Sequence, residues 1–318
     1  MIQYGAFVFL FILTLSACSI NRGGSINSDD FHSETTTGIY AVSASECDLM
    51  KRSRVLQSDS PILCNRLKKV VFYFYPFPAD LSSQIVDKPW LNVADIAPLV
   101  ESMPAPMMGT VVVLDVVADQ VLLIFNALYQ FKFPLDMAIP VEYLSDKEKR
   151  KGDINNSYSF DSRLITHGSV WSDHAYGVAI DINPLQNPYL YVDEFDRFSI
   201  LPKSADRHYL NRGQYRPGKV TRVGMAEDVV TLFAKQGFIV WGGDWNTPID
   251  YMHFQVGSRT FIEHLVSLPT EEAKSLFHRY VDSMNKCFLE GEKEYGIHNG
   301  GLLRKFCVEK ITTEFEIQ

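Results

Sequence analysis

The sequence predicts an α+β fold, in which a small antiparallel sheet is flanked by helices and followed by a helical C-terminal extension. Short segments rich in β-branched and aromatic residues, such as Val70 to Tyr75, are typical of buried strands. Val117 to Tyr129 is apolar around most of its helical surface, which indicates a buried helix. Beyond residue 257, apolar residues recur at helical spacing. The chain has 318 residues, of which 46% are hydrophobic, so it is long enough to bury a full core.

The first residues predict export. Ala6 to Leu15 is an apolar run too short to span a bilayer, and small residues follow it, as in a signal peptide. Leu15 to Cys18 (LSAC) resembles a bacterial lipobox, in which cleavage precedes the cysteine and the cysteine is acylated. We expect a signal peptide over residues 1–17 and a lipid anchor at Cys18 on a bacterial membrane, facing the periplasm or the cell wall. Because the opening MIQYG carries no Lys or Arg, a plain membrane anchor and a misread start codon stay open as alternatives.

The segment after the anchor predicts a flexible tether. Ser19 to about Gly38 is rich in Ser, Thr, Asn and Gly and has almost no apolar periodicity. We expect the tether over residues 18–45, ordered structure from near Cys47, and a folded domain over residues 46–257.

Other patterns place elements within that domain. Three short runs are predicted to form strands: Thr110 to Leu114, Val178 to Ile182 and Phe238 to Trp241. Ala226 to Gln236 is predicted to form a helix that Gly237 closes. The charged stretch Asp146 to Asn156 ends in turn-forming residues, which indicates a surface loop.

Residues 258–318 are predicted to form the helical extension. The apolar residues between Ala273 and Phe288 recur at helical spacing, and Glu271 and Glu272 suit the first turn of a helix. Gly291 is expected to lie just past the end of that helix.

The cysteines that remain after Cys18 are even in number, as is common in exported chains: Cys47, Cys64, Cys287 and Cys307. They favour two disulfides over small buried thiols. Three connectivities are possible, and the local one, Cys47 with Cys64 and Cys287 with Cys307, is the simplest because each bridge closes a short loop.

The charge of the chain argues against one class of partner. The formal net charge is -8, and the sequence has no long run of Lys or Arg. Proteins that bind nucleic acid need clustered positive charge to neutralise phosphates, so we expect no nucleic-acid partner.

Two short segments carry residues of the kind that bind a catalytic metal: SDHAYGVAID (residues 172–181) and DYMHF (residues 250–254). A hydrolytic zinc site uses three protein ligands with nitrogen or oxygen donors and leaves the fourth position open. His174, Asp181 and His253 would supply such a set, and Gly177 would allow the chain to fold back between the first two. Asp250 lies three residues before His253, a spacing that suits a general base beside a ligand.

The first segment resembles the SxHxxGxAxD signature of the zinc D-alanyl-D-alanine carboxypeptidases and L-alanyl-D-glutamate endopeptidases, a group structurally related to the hedgehog zinc domain. The second matches that group's acidic residue three before the last histidine. The flanking segments NNSYSFDSR, DINPLQNPY and GFIVWGGDW are similar to the endopeptidase-type subgroup. The resemblance covers roughly residues 65–257.

This resemblance implies a zinc-dependent peptidase that hydrolyses amide bonds in the stem peptides of peptidoglycan, either L-alanyl-D-glutamate or D-alanyl-D-alanine bonds. It implies zinc ligation by His174, Asp181 and His253, with Asp250 as general base and Arg163 as the oxyanion-stabilising arginine. The side chains that could line the substrate groove are Ser172, Trp245, Trp241 and Tyr251.

Two alternatives are kept. His167 could replace a ligand, although it lacks an acidic partner in the right register and fits a loop residue better. The chain could also be a non-catalytic, zinc-containing lipoprotein that binds cell wall, because hedgehog relatives keep a zinc site without known peptidase use. The presence of Asp250 and Arg163 favours catalysis, since a binding site needs neither residue.

Overall fold

A computed structural model of the chain describes residues 36–78, 104–145, 148, 154–165, 168–193, 195–205, 209–213, 222–295 and 300–316. Within these residues the predicted α+β class is confirmed. The described chain forms six α-helices and three antiparallel sheets of three short strands each, whereas the sequence predicted one small sheet.

The N-terminal part is a three-stranded sheet covered by helices. Its elements, in chain order, are β1 (Gly38–Ala41), α1 (Ala44–Arg52), β2 (Leu67–Phe74), β3 (Met107–Leu114) and α2 (Ala118–Gln130). The strand order is β1-β2-β3. The predicted strands in β2 and β3 and the predicted helix α2 are confirmed. The face of the sheet packs on α2, where the ring of Phe72 stacks on that of Phe125 at 3.7 Å.

The expected flexible tether is wrong for residues 38–45, because the fold begins there. Strand β1 pairs with the edge of β2, with Gly38 opposite Val71. Helix α1 then starts at a capping box in which the hydroxyl of Ser43 accepts from the amide of Glu46, and the Glu46 carboxylate accepts from the amide of Ser43. This box satisfies amides at the start of the helix, so ordered structure precedes Cys47.

Two further sheets contain or adjoin the segments that carry the candidate residues. One sheet has the order β4-β9-β7 and consists of β4 (Ala179–Asp181), β7 (Val240–Trp241) and β9 (His253–Gln255). The other has the order β6-β5-β8 and consists of β5 (Tyr189–Val192), β6 (Phe198–Leu201) and β8 (Ile249–Asp250).

Three predictions in this region need adjustment. The predicted helix Ala226 to Gln236 is divided into a 3-10 turn, Ala226–Asp228, and the helix α3, Val230–Lys235. Consecutive β-branched residues at the break are poor helix formers. The predicted strand from Phe238 is regular only over β7. The expected surface loop is wrong at its end, because Asn156 is buried and its amide bonds both the N–H and the carbonyl of Ile139.

The helical extension is confirmed and comprises α4 (Arg259–Ser267), α5 (Thr270–Tyr295) and α6 (Gly300–Glu316). These helices pack on the same core as the preceding residues. Gly291 lies inside α5 and not past its end. An added Cβ there would overlap a methyl group of Leu303 on α6, so the glycine permits the close approach of the two helices.

Both predicted disulfides are present: Cys47 is bonded to Cys64, and Cys287 is bonded to Cys307. The first bridge ties α1 to the 3-10 turn Cys64–Arg66 that precedes β2, and the second ties α5 to α6. Among the described residues, no helix has the length and apolar composition needed to cross a membrane.

Candidate active site

Three buried side chains converge where β4 meets β9. Asp181 and His253 are directly opposite each other in this antiparallel pair. Oδ1 of Asp181 lies 3.1 Å from Nδ1 of His253 and 3.2 Å from Nε2 of His174. Each of these residues offers one atom that could bind a metal ion, and the three atoms lie within 4.8 Å of one another. The predicted ligand residues are therefore brought together.

A short turn delivers His174 to this point. Ser172 caps the 3-10 turn Asp173–Tyr176, and its hydroxyl accepts from the amide of His174. Gly177 ends the turn with a φ of +66°, and an added Cβ would lie 2.7 Å from the amide nitrogen of Leu114. Both the backbone conformation and the close approach exclude a side chain here. The predicted reversal at Gly177 is confirmed.

The surroundings of His174 leave one of its ring nitrogens facing the cluster. Nδ1 lies 2.5 Å from the carbonyl oxygen of Ser159, which can only accept, so Nδ1 carries the hydrogen. Nε2 then faces the Asp181 carboxylate, 3.2 Å from its Oδ1. This buried Nε2 finds no hydrogen-bond partner among the residues that the structure describes. A cation between the two groups would resolve this arrangement.

His253 and Asp181 form an ion pair in which each group favours the charged form of the other. Burial works against the charge of His253, but its bonds to Asp181 and the nearby carboxylates raise its pKa to about 9. Burial also disfavours ionised Asp181, yet the two histidines hold the pKa of this carboxyl well below its usual range. Gln255 fixes the other edge of the His253 ring, with Oε1 2.9 Å from Nε2.

Asp250 lies beside the cluster at the end of β8. Two residues separate it from His253, which begins β9. Strands β8 and β9 belong to different sheets. Oδ1 of Asp250 is buried and finds no hydrogen-bond partner within the described parts of the chain. Burial and then the negative charge of Asp181 raise the pKa of Asp250 to about 7. This carboxyl can therefore both take up and release a proton near neutral pH.

Arg163 is close enough to Asp250 for its positive charge to act on that carboxyl. Its Nε is 3.3 Å from Oδ2 of Asp161, and its Nη2 is 3.4 Å from the hydroxyl of Tyr158. These contacts hold the guanidinium while leaving it about one-third exposed. It can thus donate to an anionic group in the cleft.

Two adjoining clefts, of about 410 and 450 Å³, meet at these residues. Arg163, Tyr189 and Asp250 line both clefts. Together the clefts are bordered by seven of the residues predicted for the site: Arg163, Ser172, His174, Asp181, Trp245, Asp250 and His253. Their proposed roles stay predictions.

The other two aromatic candidates do not line either cleft. Trp241 is buried, its ring stacks near that of Phe254, and its Nε1 donates to the carbonyl of Tyr251. The ring of Tyr251 is covered by the guanidinium of Arg212 at 4.2 Å. These two aromatic residues support the turn between β8 and β9. His167, the alternative ligand, lies outside the described residues.

Sequence reasoning missed two contributors. Tyr158 stacks on the ring of His174 at 5.0 Å and lines the first cleft. Burial raises the pKa of Tyr158 well above its ordinary value, so its hydroxyl stays protonated at neutral pH. Gln255 could have been found, because residues two apart on a strand point to the same face and Gln255 is two beyond His253. No spacing rule points to Tyr158.

One comparison with known proteins gave a match. Residues 166–256 match a family model described as D-alanyl-D-alanine carboxypeptidase. The match covers well under half of the chain; it includes the three candidate ligands and Asp250 but not Arg163 or the helices α4 to α6. No curated protein and no solved structure matched the chain. The segment that builds the site is therefore similar to a family of peptidases.

Proposed function

We propose that the protein is a zinc-dependent peptidase that hydrolyses amide bonds in the stem peptides of peptidoglycan. The observation that carries the proposal is the position of Asp250. A half-buried carboxyl that can exchange a proton near pH 7 lies next to three converging metal-binding side chains and borders both clefts. A site that only binds metal or cell wall has no need of such a group. The family match supports the same reading.

The chain's donor set fits zinc. Two imidazoles and one carboxylate, with room for one further group, form the usual protein part of a hydrolytic zinc site. The unpartnered Nε2 of His174 facing Asp181 supports a cation at this place. His174, Asp181 and His253 would hold zinc, whose charge polarises the scissile carbonyl and makes water more acidic when it is bound.

Asp250 would handle the proton of the reaction. Its carboxylate takes a proton from the attacking water as the water oxygen bonds to the scissile carbonyl carbon. When the carbon–nitrogen bond breaks, the protonated Asp250 gives that proton to the departing amine. One peptide bond and one water thus become a carboxylic acid and an amine. In the metal-free protein the pKa of Asp250 is about 7, a value that suits a group that must do both.

Arg163, held in place by Tyr158, would stabilise the negative charge that develops on the carbonyl oxygen. The Arg163 guanidinium borders both clefts and is held by Asp161 and by the Tyr158 hydroxyl. Because these partners fix it before substrate arrives, little reorganisation is needed in the transition state. Tyr158, protonated at neutral pH, also packs on His174 and keeps that ring in place.

The two clefts favour cleavage inside the stem peptide. An endopeptidase needs room for residues on both sides of the scissile bond, whereas a carboxypeptidase releases only a terminal residue. The two clefts share Arg163, Tyr189 and Asp250 and otherwise have different lining residues, so they offer two spaces next to these side chains. We therefore propose the L-alanyl-D-glutamate bond as the preferred target.

Digestion of purified peptidoglycan tests the proposal. The full-length protein is incubated with it, with chelator, and with zinc restored after chelation, and the released fragments are weighed by mass spectrometry. We expect zinc-dependent release of fragments that begin with D-glutamate, and no release by Asp250→Asn. Release of free D-alanine alone would instead assign carboxypeptidase activity. If the protein binds zinc and peptidoglycan but releases nothing, the non-catalytic alternative replaces the proposal.

We also propose that the protein is exported and anchored by a lipid at Cys18. The lipobox-like segment supports this, and so do the two disulfides, since such bonds persist in oxidising compartments. Mass spectrometry of the mature N-terminus should find acylated Cys18 as the first residue. A mature chain that starts elsewhere, or an unmodified Cys18, would contradict the anchor.

A further inference from the structure

The last helix carries a buried charge that reaches the candidate site. The inward residues of α6 are apolar except one: Leu303, Arg304, Cys307, Ile311 and Phe315. The Arg304 guanidinium forms a two-pronged ion pair with Asp244, with Nη1 2.7 Å from Oδ2 and Nη2 3.1 Å from Oδ1. Arg304 is buried, whereas the side chain of Asp244 is 49% exposed. This geometry is the strong, directional form of an arginine–carboxylate contact.

Asp244 belongs to a 3-10 turn, Gly242–Asp244, that lies against the catalytic side chains. An added Cβ on Gly242 would lie 2.8 Å from Cβ of Asp250 and closer still to the Asp250 carbonyl oxygen. The next residue, Trp245, places its ring 5.5 Å from the ring of His253. A displacement of this turn would therefore move Asp250 and one wall of the second cleft.

The contact to Arg304 is the only side-chain hydrogen bond that the described structure gives residues 242–244. It joins residues 60 positions apart in the sequence. One helical turn beyond Arg304, Cys307 bonds Cys287 of α5, and this bridge fixes α6 against its neighbour. The helix pair thus presents Arg304 from a rigid support.

We propose that the C-terminal extension is a positioning element of the catalytic site, with Arg304 holding the turn Gly242–Asp244 in register against Asp250. Its catalytic consequence rests on the peptidase function proposed above. Arg304 touches no substrate and is a positioning residue. The extension lies outside the segment matched by the family model.

Hydrogen exchange tests the positioning without any need for activity. Arg304→Met keeps an unbranched apolar stem in the buried position and removes the ion pair. We expect amides in residues 242–253 to exchange roughly fivefold faster in this variant, and at a rate between this one and wild type in Arg304→Lys, which keeps the charge but not the two-pronged contact. Lys310→Met is the matched control, because Lys310 is on the same helix and pairs with exposed Glu290 at 3.9 Å. It should leave the segment unchanged.

Kinetics then tests the catalytic consequence. Arg304→Met should lower kcat for a stem peptide by about 10- to 100-fold, with a smaller change in KM and full zinc content, because small displacements of a catalytic group are costly. Asp244→Asn, altered at the half-exposed partner, provides the same readouts should α6 not accept methionine. Wild-type exchange in residues 242–253 in folded Arg304→Met overturns the proposal, whatever the activity. A wild-type enzyme that cleaves nothing overturns the peptidase function, while the exchange result still decides the positioning.

Discussion

Replacing the half-buried Asp250 by asparagine should lower activity and raise stability, two effects of opposite sign from one group. The variant keeps the shape of the side chain and all three proposed ligands, but it cannot hold the proton. Loss of general acid–base catalysis typically costs 10²- to 10⁴-fold in rate, or about 3 to 5 kcal/mol of barrier. We expect a loss of this size in kcat for a stem peptide.

The stability effect follows from the raised pKa. In the folded, metal-free protein the pKa of Asp250 rises from its ordinary 3.8 to about 7. Ionisation therefore opposes folding above pH 4, and the penalty grows until about pH 7. The full shift corresponds to roughly 4 kcal/mol, and partial solvent access reduces it to about 1 to 3 kcal/mol. The asparagine variant escapes this penalty, so its stability advantage should appear between pH 4 and pH 7 and persist above.

The assay compares thermal unfolding of metal-free wild type and Asp250→Asn at pH 4.5 and pH 8. We expect near-equal Tm values at pH 4.5 and a variant that unfolds about 2 to 8 °C higher at pH 8. Asp282→Asn, which removes an exposed carboxylate from α5, is the control and should show no such difference. If Asp250→Asn binds zinc and cleaves stem peptide at the wild-type rate, Asp250 is not the proton carrier and the reasoning is refuted.

Three further predictions follow from named contacts. Arg163→Ala should keep zinc but lower kcat/KM for a stem peptide by about 10²- to 10³-fold, less than additively with Asp250→Asn, and an unchanged kcat/KM would contradict its role. Gly177→Ala should destabilise the protein by at least about 2 kcal/mol and reduce its zinc content, because a Cβ at φ +66° would meet the Leu114 amide. Denaturant unfolding measures the stability and metal analysis the zinc content. Unchanged values of both would contradict the role given to the turn at Gly177. Removing the Cys287–Cys307 bridge, whose residues are 20 apart, by alanine at both positions should cost about 3 kcal/mol in denaturant unfolding, and a cost below about 1 kcal/mol would exclude a stabilising bridge.

The turn that carries His174 could be predicted from sequence because interactions between residues close in the chain determine it. Gly177 is needed where the chain reverses, and Ser172 caps the turn that carries His174. Histidine and aspartate are common zinc ligands, so the residue types alone indicated a metal site. The pairing of Asp181 with His253 was less accessible, since they are 72 residues apart and only strand register places them opposite each other.

The sequence predictions that were wrong or missing concern features that tertiary contacts determine. Gly291 has the sequence signature of a helix end, but the approach of α6 places it inside α5. Strand β1 has little hydrophobic pattern of its own and is ordered by the edge of β2. The ion pair between Arg304 and Asp244 connects two segments that show no sequence relation. Each of these contacts depends on how finished elements pack, which periodicity and spacing do not specify.

Titration of the metal-free protein with zinc tests the central claim most directly. The rate of stem-peptide cleavage is measured as zinc is added, beside the amount of zinc bound. We predict no cleavage without metal, a rise that saturates at one zinc per chain, and neither tight binding nor cleavage in His174→Ala and His253→Ala. Cleavage at the full rate without zinc, or unchanged zinc content in both histidine variants, would contradict the account.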